Sequence, residues 1–373
     1  MNKIKTETIS FFATRNSGGG ASRIVRQLSN GLHKNKIKVD VNYLAEKTLS
    51  NKSSWPEINK GVTVNCSGKK RSVTSIPWII KKHRDRKDPI ICFGRTAAVT
   101  LVIASLFFKH ERDIYIWEGK SLSDAQKGAK DIIGKFILPL LIKFSYKKAK
   151  TLIGISNEEI DDFKNYLSID ESKLKKIYTP AITKEHHDKI FEPLPTWFKK
   201  TTEGKVVITA AGSFLPQKNF PLLLSAFAKL NESKGNLQLI LMGDGPDKES
   251  LIELAKSLKI TENVLFTGYV DNPLPIIAAG DCFVLSSSWE GLPGVLIEAV
   301  FCQTRIVATN CPSGPFEILD GGSYGKLANV NDPIDLSEKI SQALNSPIPE
   351  GLRKRSNLFS EEVIIEQYLE MLS

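Results

Sequence analysis

Two glutamates separated by seven residues stand out in the stretch Ser286–Ala299. Glu290 follows a short apolar run, and Glu298 lies about a turn inside an apolar segment of helical spacing that starts after Pro293. A carboxylate can accept two hydrogen bonds from vicinal hydroxyls, and a helix start presents backbone amides and a positive dipole end to a phosphate. The pattern predicts a sugar-nucleotide site. The alternative is a solvated loop glutamate and a surface helix glutamate.

The motif and its flanks resemble the retaining glycosyltransferases of family 4, which have the GT-B fold. Gly291-Leu292-Pro293 after the first glutamate carries the resemblance, and the segments 212–220, 242–246 and 311–319 agree with it. The resemblance is detailed over 205–320 and looser elsewhere. It implies an α/β protein with two Rossmann-like parallel-sheet domains facing across a cleft. It also implies transfer of a hexose or N-acetylhexosamine from a nucleoside diphosphate, most often UDP, to a glycan hydroxyl.

The resemblance also implies roles for individual residues. Lys218 and the backbone amides of 291–295 would neutralise the departing diphosphate, Glu298 would hold the ribose diol, and Glu290 would orient the sugar. The acceptor's proton would pass to the leaving phosphate oxygen, without a covalent enzyme intermediate. The implied donor-binding residues are Gly19, Gly20, Ser213, Lys218, Gly243, Tyr269, Val270, Glu290, Gly291, Leu292, Gly294, Val295 and Glu298.

The chain departs from the family pattern at two places. Ser213 stands where an arginine usually shares the diphosphate with the lysine, and the glycine loop continues Gly20-Ala21-Ser22 without its usual carboxylate. These departures favour, as an alternative, a catalytically weak subunit that binds sugar nucleotides. A dinucleotide oxidoreductase is disfavoured, because no acidic residue follows the glycine loop in a convincing second strand.

Two charged residues follow apolar runs in the first half. Arg95 comes just after 90–93, at the carboxyl end of an expected strand, where it could meet a phosphate; a surface salt bridge is an equal alternative. Glu118 ends the run 114–117, where many family members carry a histidine. We therefore count Glu118, with Glu290 and Lys218, among the candidate catalytic residues.

Short apolar runs alternate with segments able to form helices, which predicts parallel sheets covered on both faces. The expected strands are 8–13, 38–44, 62–65, 89–93, 113–117, 151–155, 206–211, 237–242, 263–266 and 281–285. The expected organisation is an acceptor-binding domain over 1–180, a linker over 181–204, a nucleotide-sugar domain over 205–355, and a C-terminal segment, 356–373, whose helix packs back on the first domain.

The net charge of +10 is uneven, because residues 1–200 hold 38 Lys and Arg against 20 Asp and Glu. The excess suggests a polyanionic partner; the alternative is a lysine-rich protein whose charges are simply solvated. Nucleic acid is disfavoured, because no recognition motif or series of stacking aromatics is present. In the segment 132–150, lysines interrupt an apolar stripe. This pattern is typical of a helix that lies on the surface of an anionic membrane. A partly buried core helix is the alternative. We expect a cytoplasmic protein, peripherally associated with the inner face of the membrane.

No cofactor or metal is expected, since no His/Asp cluster has ligand spacing. The five cysteines include no Cys-x-x-Cys pair and are expected to be buried free thiols. His186 and His187, adjacent in the expected linker, are interpreted as solvated. Met1–Thr8 does not have the apolar core of a signal peptide.

Overall fold

The computed structural model describes residues 7–16, 20–46, 57–119, 122–123 and 137–373. The chain divides into two compact units. The first comprises 1–180 together with 361–373, and the second comprises 181–360.

The first unit is built on a parallel sheet, which has seven strands in the described part of the chain. The strands are β1 (Thr8–Ala13), β2 (Lys38–Tyr43), β3 (Thr63–Cys66), β4 (Ile90–Phe93), β5 (Ile114–Trp117), β6 (Thr151–Gly154) and β7 (Leu174–Lys176). Their order is β3-β2-β1-β4-β5-β6-β7. The accompanying helices are α1 (Gly20–Lys34), α2 (Ile76–His83), α3 (Arg95–Ser105), α4 (Leu138–Lys147) and α5 (Asn157–Leu167).

The second unit repeats this plan with six parallel strands among the described residues. They are β8 (Val206–Ala211), β9 (Leu237–Met242), β10 (Val264–Gly268), β11 (Cys282–Leu285), β12 (Arg305–Thr309) and β13 (Lys326–Ala328), in the order β10-β9-β8-β11-β12-β13. The helices are α6 (Lys184–Lys189), α7 (Thr196–Thr202), α8 (Phe220–Lys234), α9 (Lys248–Ser257), α10 (Leu274–Ala279), α11 (Gly294–Phe301), α12 (Gly314–Ile318), α13 (Pro333–Leu344) and α14 (Leu352–Asn357). A last helix, α15 (Glu361–Leu372), belongs to the first unit.

The prediction of an α/β protein with parallel sheets is confirmed. All six residues of β9 are buried, as a strand covered on both faces requires. Strand order reverses between β1 and β4 in one sheet and between β8 and β11 in the other. At such a reversal the loops at the carboxyl ends of the strands diverge and leave a crevice for ligands.

Helix α8 illustrates how the sequence sets an element. Pro221 lies in its first turn, and Gly235 ends it with a φ of 74°, a left-handed conformation that glycine adopts without a steric penalty. Leu223 and Phe227, four residues apart, share one buried apolar cluster with Leu239 of β9.

Two other local details are instructive. At the start of α5 the amide of Glu159 donates to Ser156 Oγ at 3.2 Å, as in a capping box, but the Glu159 carboxylate accepts from the amide of Ile155, one residue before the N-cap, at 2.8 Å. Pro139 lies in the first turn of α4, where its missing amide interrupts no hydrogen bond within that helix. The residues just before Ile137 lie outside the described part of the chain.

The segments before and after the second unit's sheet both form helices. Residues 181–204 contain α6 and α7 and cluster with the second unit. Helix α15 is tied into the first unit, where Lys34 pairs with Glu361 at 3.4 Å and the Tyr115 hydroxyl donates to the carbonyl of Met371 at 3.4 Å. Among the described residues, no helix has the length and apolar character needed to cross a bilayer.

Candidate active site

Lys218 and Glu290 form an ion pair on the second unit, with Nζ 2.6 Å from Oε1. Lys218 ends a short 3₁₀ turn after β8, and Glu290 lies in the loop after β11. Since β8 and β11 are the neighbouring strands at which the sheet order reverses, the pair lies where open α/β sheets bind ligands. The two side chains are 19% and 7% exposed, so solvent screens the pair only weakly.

Two further side chains, which sequence analysis missed, hold the Glu290 carboxylate. Ser287 Oγ donates to Oε1 at 2.8 Å, and Gln217 Nε2 donates to Oε2 at 3.2 Å. Gln217 also donates to the carbonyl of Trp289 at 2.8 Å. Their positions in the sequence could have indicated this role, because Gln217 is next to Lys218 and Ser287 lies just after the end of β11. With three donor side chains, the carboxylate has a defined orientation.

Backbone contacts fix these loops to one another. Ser286 Oγ donates to the carbonyl of Lys218 at 2.9 Å, and the amide of Ser288 donates to the carbonyl of Gln217 at 2.8 Å. Thr309 Oγ1, at the end of β12, donates to the carbonyl of Ser287 at 2.6 Å. The loops after three neighbouring strands are therefore hydrogen-bonded to one another around the ion pair.

The loops after β8 and β9 approach closely because glycine allows it. A Cβ at Gly243 would lie 1.9 Å from the carbonyl oxygen of Gly212, a distance that excludes any side chain. The amide of Gly243 donates to the carbonyl of Gly268 at 2.9 Å, which joins the loop after β10 to the same group. The predicted donor residues Gly243, Tyr269 and Val270 thus follow adjacent strands, and Tyr269 is 66% exposed. Their contact with a nucleotide sugar stays a prediction.

Helix α11 begins at Gly294, with Pro293 before it. Its first backbone bonds run from the amides of Leu296 and Ile297 to the carbonyl of Pro293, at 3.1 and 3.3 Å. The preceding amides, of Gly294 and Val295, lie at the positive end of the helix dipole. A Cβ on Gly314, in the Pro-Ser-Gly-Pro turn, would lie 2.3 Å from the carbonyl oxygen of Gly291, so this turn supports the loop that contains Leu292.

Glu298 lies one turn further along α11, with a side chain 17% exposed. Its carboxylate Oε1 is 4.0 Å from Nε2 of His186, which was interpreted from sequence as solvated. That interpretation is wrong, because the His186 side chain is only 15% exposed and takes part in the capping box of α6. Ser213, at the position usually occupied by arginine, is exposed after Gly212.

In the first unit, Glu118 and Arg95 meet after β5 and β4. The Tyr146 hydroxyl donates to Glu118 Oε2 at 2.7 Å, Arg95 Nε lies 3.7 Å from the same oxygen, and the amide of Gly119 donates to Oε1 at 3.3 Å. Burial raises the pKa of Glu118, while Arg95 and Tyr146 oppose that shift. Arg95 thus forms the salt bridge that was the alternative to a phosphate contact, and it does so with a buried carboxylate.

The glycine loop of the first unit is only partly described. Gly19 lies outside the described residues, and Gly20 is the first residue of α1. Arg15, before the loop, donates to the carbonyl of Lys70 at 2.9 Å.

No group of three or more His, Cys, Asp or Glu side chains able to hold a metal ion occurs within the described ranges. All five cysteines are free thiols, and Cys66 is exposed, whereas the sequence predicted buried thiols throughout. Burial raises the pKa of Cys311, near the Lys218–Glu290 pair, to about 12, so this thiol stays protonated at neutral pH.

A family model described as "Glycosyl transferases group 1" matches residues 195–360, the region that contains this site. An uncharacterized glycosyltransferase of Methanocaldococcus jannaschii is 30% identical over 283 residues, which are 72% of this chain and 69% of that protein. The N-acetylgalactosamine-N,N'-diacetylbacillosaminyl-diphospho-undecaprenol 4-alpha-N-acetylgalactosaminyltransferase of Campylobacter jejuni is 29% identical over 213 residues, 57% of this chain and 54% of that enzyme. The chain therefore spans about half of this second relative's length.

Among solved structures, Anabaena HepE in complex with UDP resembles the chain with a TM-score of 0.80 and 17% identity. The superposition covers 98% of this chain and 99% of that one, so the likeness extends over both units.

Proposed function

This chain belongs to the glycosyl transferases group 1 and has the two Rossmann-like domains of the GT-B fold, and we propose that it transfers a hexose or N-acetylhexosamine from a UDP-sugar. The acceptor in this proposal is a hydroxyl of a lipid-linked or cell-surface glycan. The transfer retains the configuration of the anomeric carbon. The glycosyltransferase assignment predicted from sequence is confirmed, and the donor, acceptor and stereochemistry are the steps beyond it.

The Lys218–Glu290 pair carries the proposal. A cation and a carboxylate, 2.6 Å apart at the switch point of the sheet, lie in the loops that lead into α8 and α11. Lys218 supplies three N–H donors, so it can keep one bond to Glu290 while it meets a diphosphate oxygen. The amides at the start of α11 add donors suited to the same phosphate.

In the proposed reaction, the bond between the anomeric carbon and the phosphate oxygen breaks while the acceptor oxygen bonds to the same face of the sugar. The acceptor's proton passes to the departing phosphate oxygen, which leaves on UDP. Lys218 and the α11 amides stabilise the charge that develops there. Glu290 orients the sugar hydroxyls and Glu298 the ribose diol. In our proposal, Lys218 and the α11 amides stabilise the departing diphosphate without a metal ion.

Two comparisons support the choice of a UDP-sugar as donor and of a lipid-linked glycan as acceptor. HepE was solved with UDP, and the Campylobacter relative has, in its name, an acceptor linked through a diphosphate to undecaprenol. A lipid-linked acceptor places this reaction at a membrane surface. Helix α4 offers a suitable contact, because Ile137, Leu140 and Phe144 are 49%, 68% and 43% exposed and recur at helical spacing. Lys147 and Lys148 are exposed beside them.

A ligand screen tests the donor site. We expect UDP and UDP-sugars, but not GDP, to raise the unfolding temperature of the protein, with the shift unchanged by EDTA. Glu298→Ala should reduce UDP affinity roughly tenfold, as loss of bonds to a charged group would. Glu338→Ala, an exposed glutamate of α13, is the matched control. Equal UDP shifts for wild type and Glu298→Ala would contradict the site.

A further inference from the structure

The ring of His186 has a defined tautomer. The backbone amide of Thr183 donates to Nδ1 at 3.1 Å, and Thr183 Oγ1 lies 2.9 Å from the same nitrogen. A backbone N–H can only donate, so Nδ1 carries no proton. The neutral imidazole therefore holds its proton on Nε2, as a hydrogen-bond donor.

That donor faces Glu298. Nε2 of His186 is 4.0 Å from Oε1 of Glu298, and the two side chains are only 15% and 17% exposed. The ring also meets the edge of Phe301, three residues further along α11, with centroids 6.1 Å apart and planes at 85°. The capping box on one side and Phe301 on the other thus fix the direction of the Nε2–H bond.

We propose that His186 is a positioning residue for Glu298. Its Nε2–H group engages one carboxylate oxygen as the donor binds, which orients the carboxylate to accept both hydroxyls of the ribose. The gap of 4.0 Å closes by a small side-chain rotation, as polar contacts of unliganded sites commonly do. This inference rests on the proposed function, since it takes Glu298 as the ribose-binding residue.

Two substitutions separate positioning from capping, because residue 186 occupies the third position of α6, where a capping box accepts Glu or Gln. His186→Gln keeps an oxygen for the Thr183 amide and an N–H group for Glu298. His186→Glu keeps only the oxygen and sets a negative charge against the Glu298 carboxylate. His187→Glu introduces the same charge one residue away, where the native ring packs on Phe301 at 5.1 Å.

The measurement is calorimetric binding of UDP and of 2′,3′-dideoxy-UDP, with Glu298→Ala as the reference for lost ribose recognition. We expect His186→Glu to weaken UDP binding about tenfold and to leave the dideoxy compound within about twofold, since that ligand has no diol to lose. His186→Gln should keep most of the ribose discrimination, and His187→Glu should keep all of it. Thermal unfolding of each variant reports whether α6 stays folded.

The outcomes distinguish this inference from the proposed function. If Glu298→Ala loses ribose discrimination and His186→Glu keeps it, His186 does not position Glu298, and the donor site stands. If Glu298→Ala itself keeps discrimination, Glu298 does not bind the ribose, and both this inference and the role of Glu298 in the proposed function are overturned. Should His186→Glu not fold, His186→Ala replaces it: discrimination lost in the alanine variant and kept in His186→Gln supports positioning, and discrimination kept in both contradicts it.

Discussion

Lys218 has two partners in the proposed reaction, the Glu290 carboxylate and the diphosphate of the donor. In the structure the first partner is engaged at 2.6 Å, and Ser287 and Gln217 donate to the same carboxylate. Glu290 therefore has two further donors, while Lys218 divides its N–H groups between the carboxylate and a phosphate. The arrangement separates the two functions: the lysine follows the charge of the diphosphate, while the carboxylate stays oriented for the sugar.

Substitutions at this pair should separate binding from turnover. Lys218→Met removes the cation, and we expect UDP to bind at least tenfold more weakly, because a charge-assisted hydrogen bond contributes about 1.5–3 kcal/mol. Glu290→Gln leaves Lys218 without its anionic partner, so UDP should bind at least as tightly as to wild type, while sugar transfer falls by two orders of magnitude or more. Calorimetry with UDP and a nucleotide-release assay measure the two effects. Weaker UDP binding by Glu290→Gln would contradict this division of roles.

Glu159 gives the first unit a predicted dependence on pH. Burial raises its pKa to about 8, and the buried Glu118 carboxylate nearby adds to the shift. Because the folded pKa exceeds the unfolded one, the folded state binds more protons between about pH 4.5 and pH 8. The contribution of Glu159 to stability is therefore fully present below this window and is lost as the pH rises through it.

Glu159→Gln should flatten that dependence. The amide keeps an oxygen for the amide of Ile155 and cannot ionise, so the variant should be the more stable protein at pH 8 by roughly 1–3 kcal/mol, with a smaller difference at pH 5. Denaturant unfolding at the two pH values measures this. Glu158→Gln, one residue earlier, is the control. Equal slopes of stability against pH for wild type and Glu159→Gln would show that Glu159 is ionised throughout.

At the scale of elements, the sequence was informative wherever one local rule determined the outcome. Long apolar runs placed β8 and β9 with their observed bounds, because a doubly covered parallel strand is apolar at nearly every position. The edge strands β7 and β13, three residues each, were missed, because so short a run carries no period of its own. The helices of 184–202 were missed for the same reason.

In the candidate site, too, some residues could be predicted from the sequence and others could not. A motif with fixed spacing indicated Glu290 and Glu298, and the family resemblance implied Lys218. Ser287 and His186 could not be assigned from sequence, because their roles come from side-chain directions across loops distant in the chain. Spacing in a sequence says which residues share an element. It does not say which neighbouring loop supplies a partner.

The Pro-Ser-Gly-Pro turn supports the start of α11 through a single glycine, which leads to another prediction. In Gly314→Ala the new Cβ would lie 2.3 Å from the carbonyl oxygen of Gly291 and 2.4 Å from Cδ of Pro293, so the loop must move. We expect UDP affinity to fall roughly tenfold, because the α11 amides shift from the phosphate, and stability to fall by about 1–3 kcal/mol, as for other overpacked positions. Calorimetry and thermal unfolding measure the two changes. Unchanged UDP affinity in the folded variant would mean that the α11 start does not hold the phosphate.

At the scale of the whole molecule, charge is divided between the units. The first unit carries 34 Lys and Arg against 21 Asp and Glu, and the second carries 17 against 20. The basic unit also presents α4, whose inward face is buried at Ile142, Ser145 and Tyr146. An apolar stripe and lysines on the outer face of that helix match the surface of a bilayer that contains anionic lipid.

This match predicts that the protein binds strongly to vesicles of phosphatidylglycerol and only weakly to vesicles of phosphatidylcholine. Each lysine near an anionic surface contributes about 1 kcal/mol, so Lys147→Glu with Lys148→Glu should weaken binding at least 30-fold and remove most of its salt dependence. Leu140→Glu with Phe144→Glu should weaken binding in high salt as well, because it removes the inserted apolar area. Ile334→Glu, an equally exposed apolar position on the second unit, is the control. Vesicle sedimentation measures all three. If the α4 variants bind as wild type does, the basic unit meets its membrane through another surface or does not bind one at all.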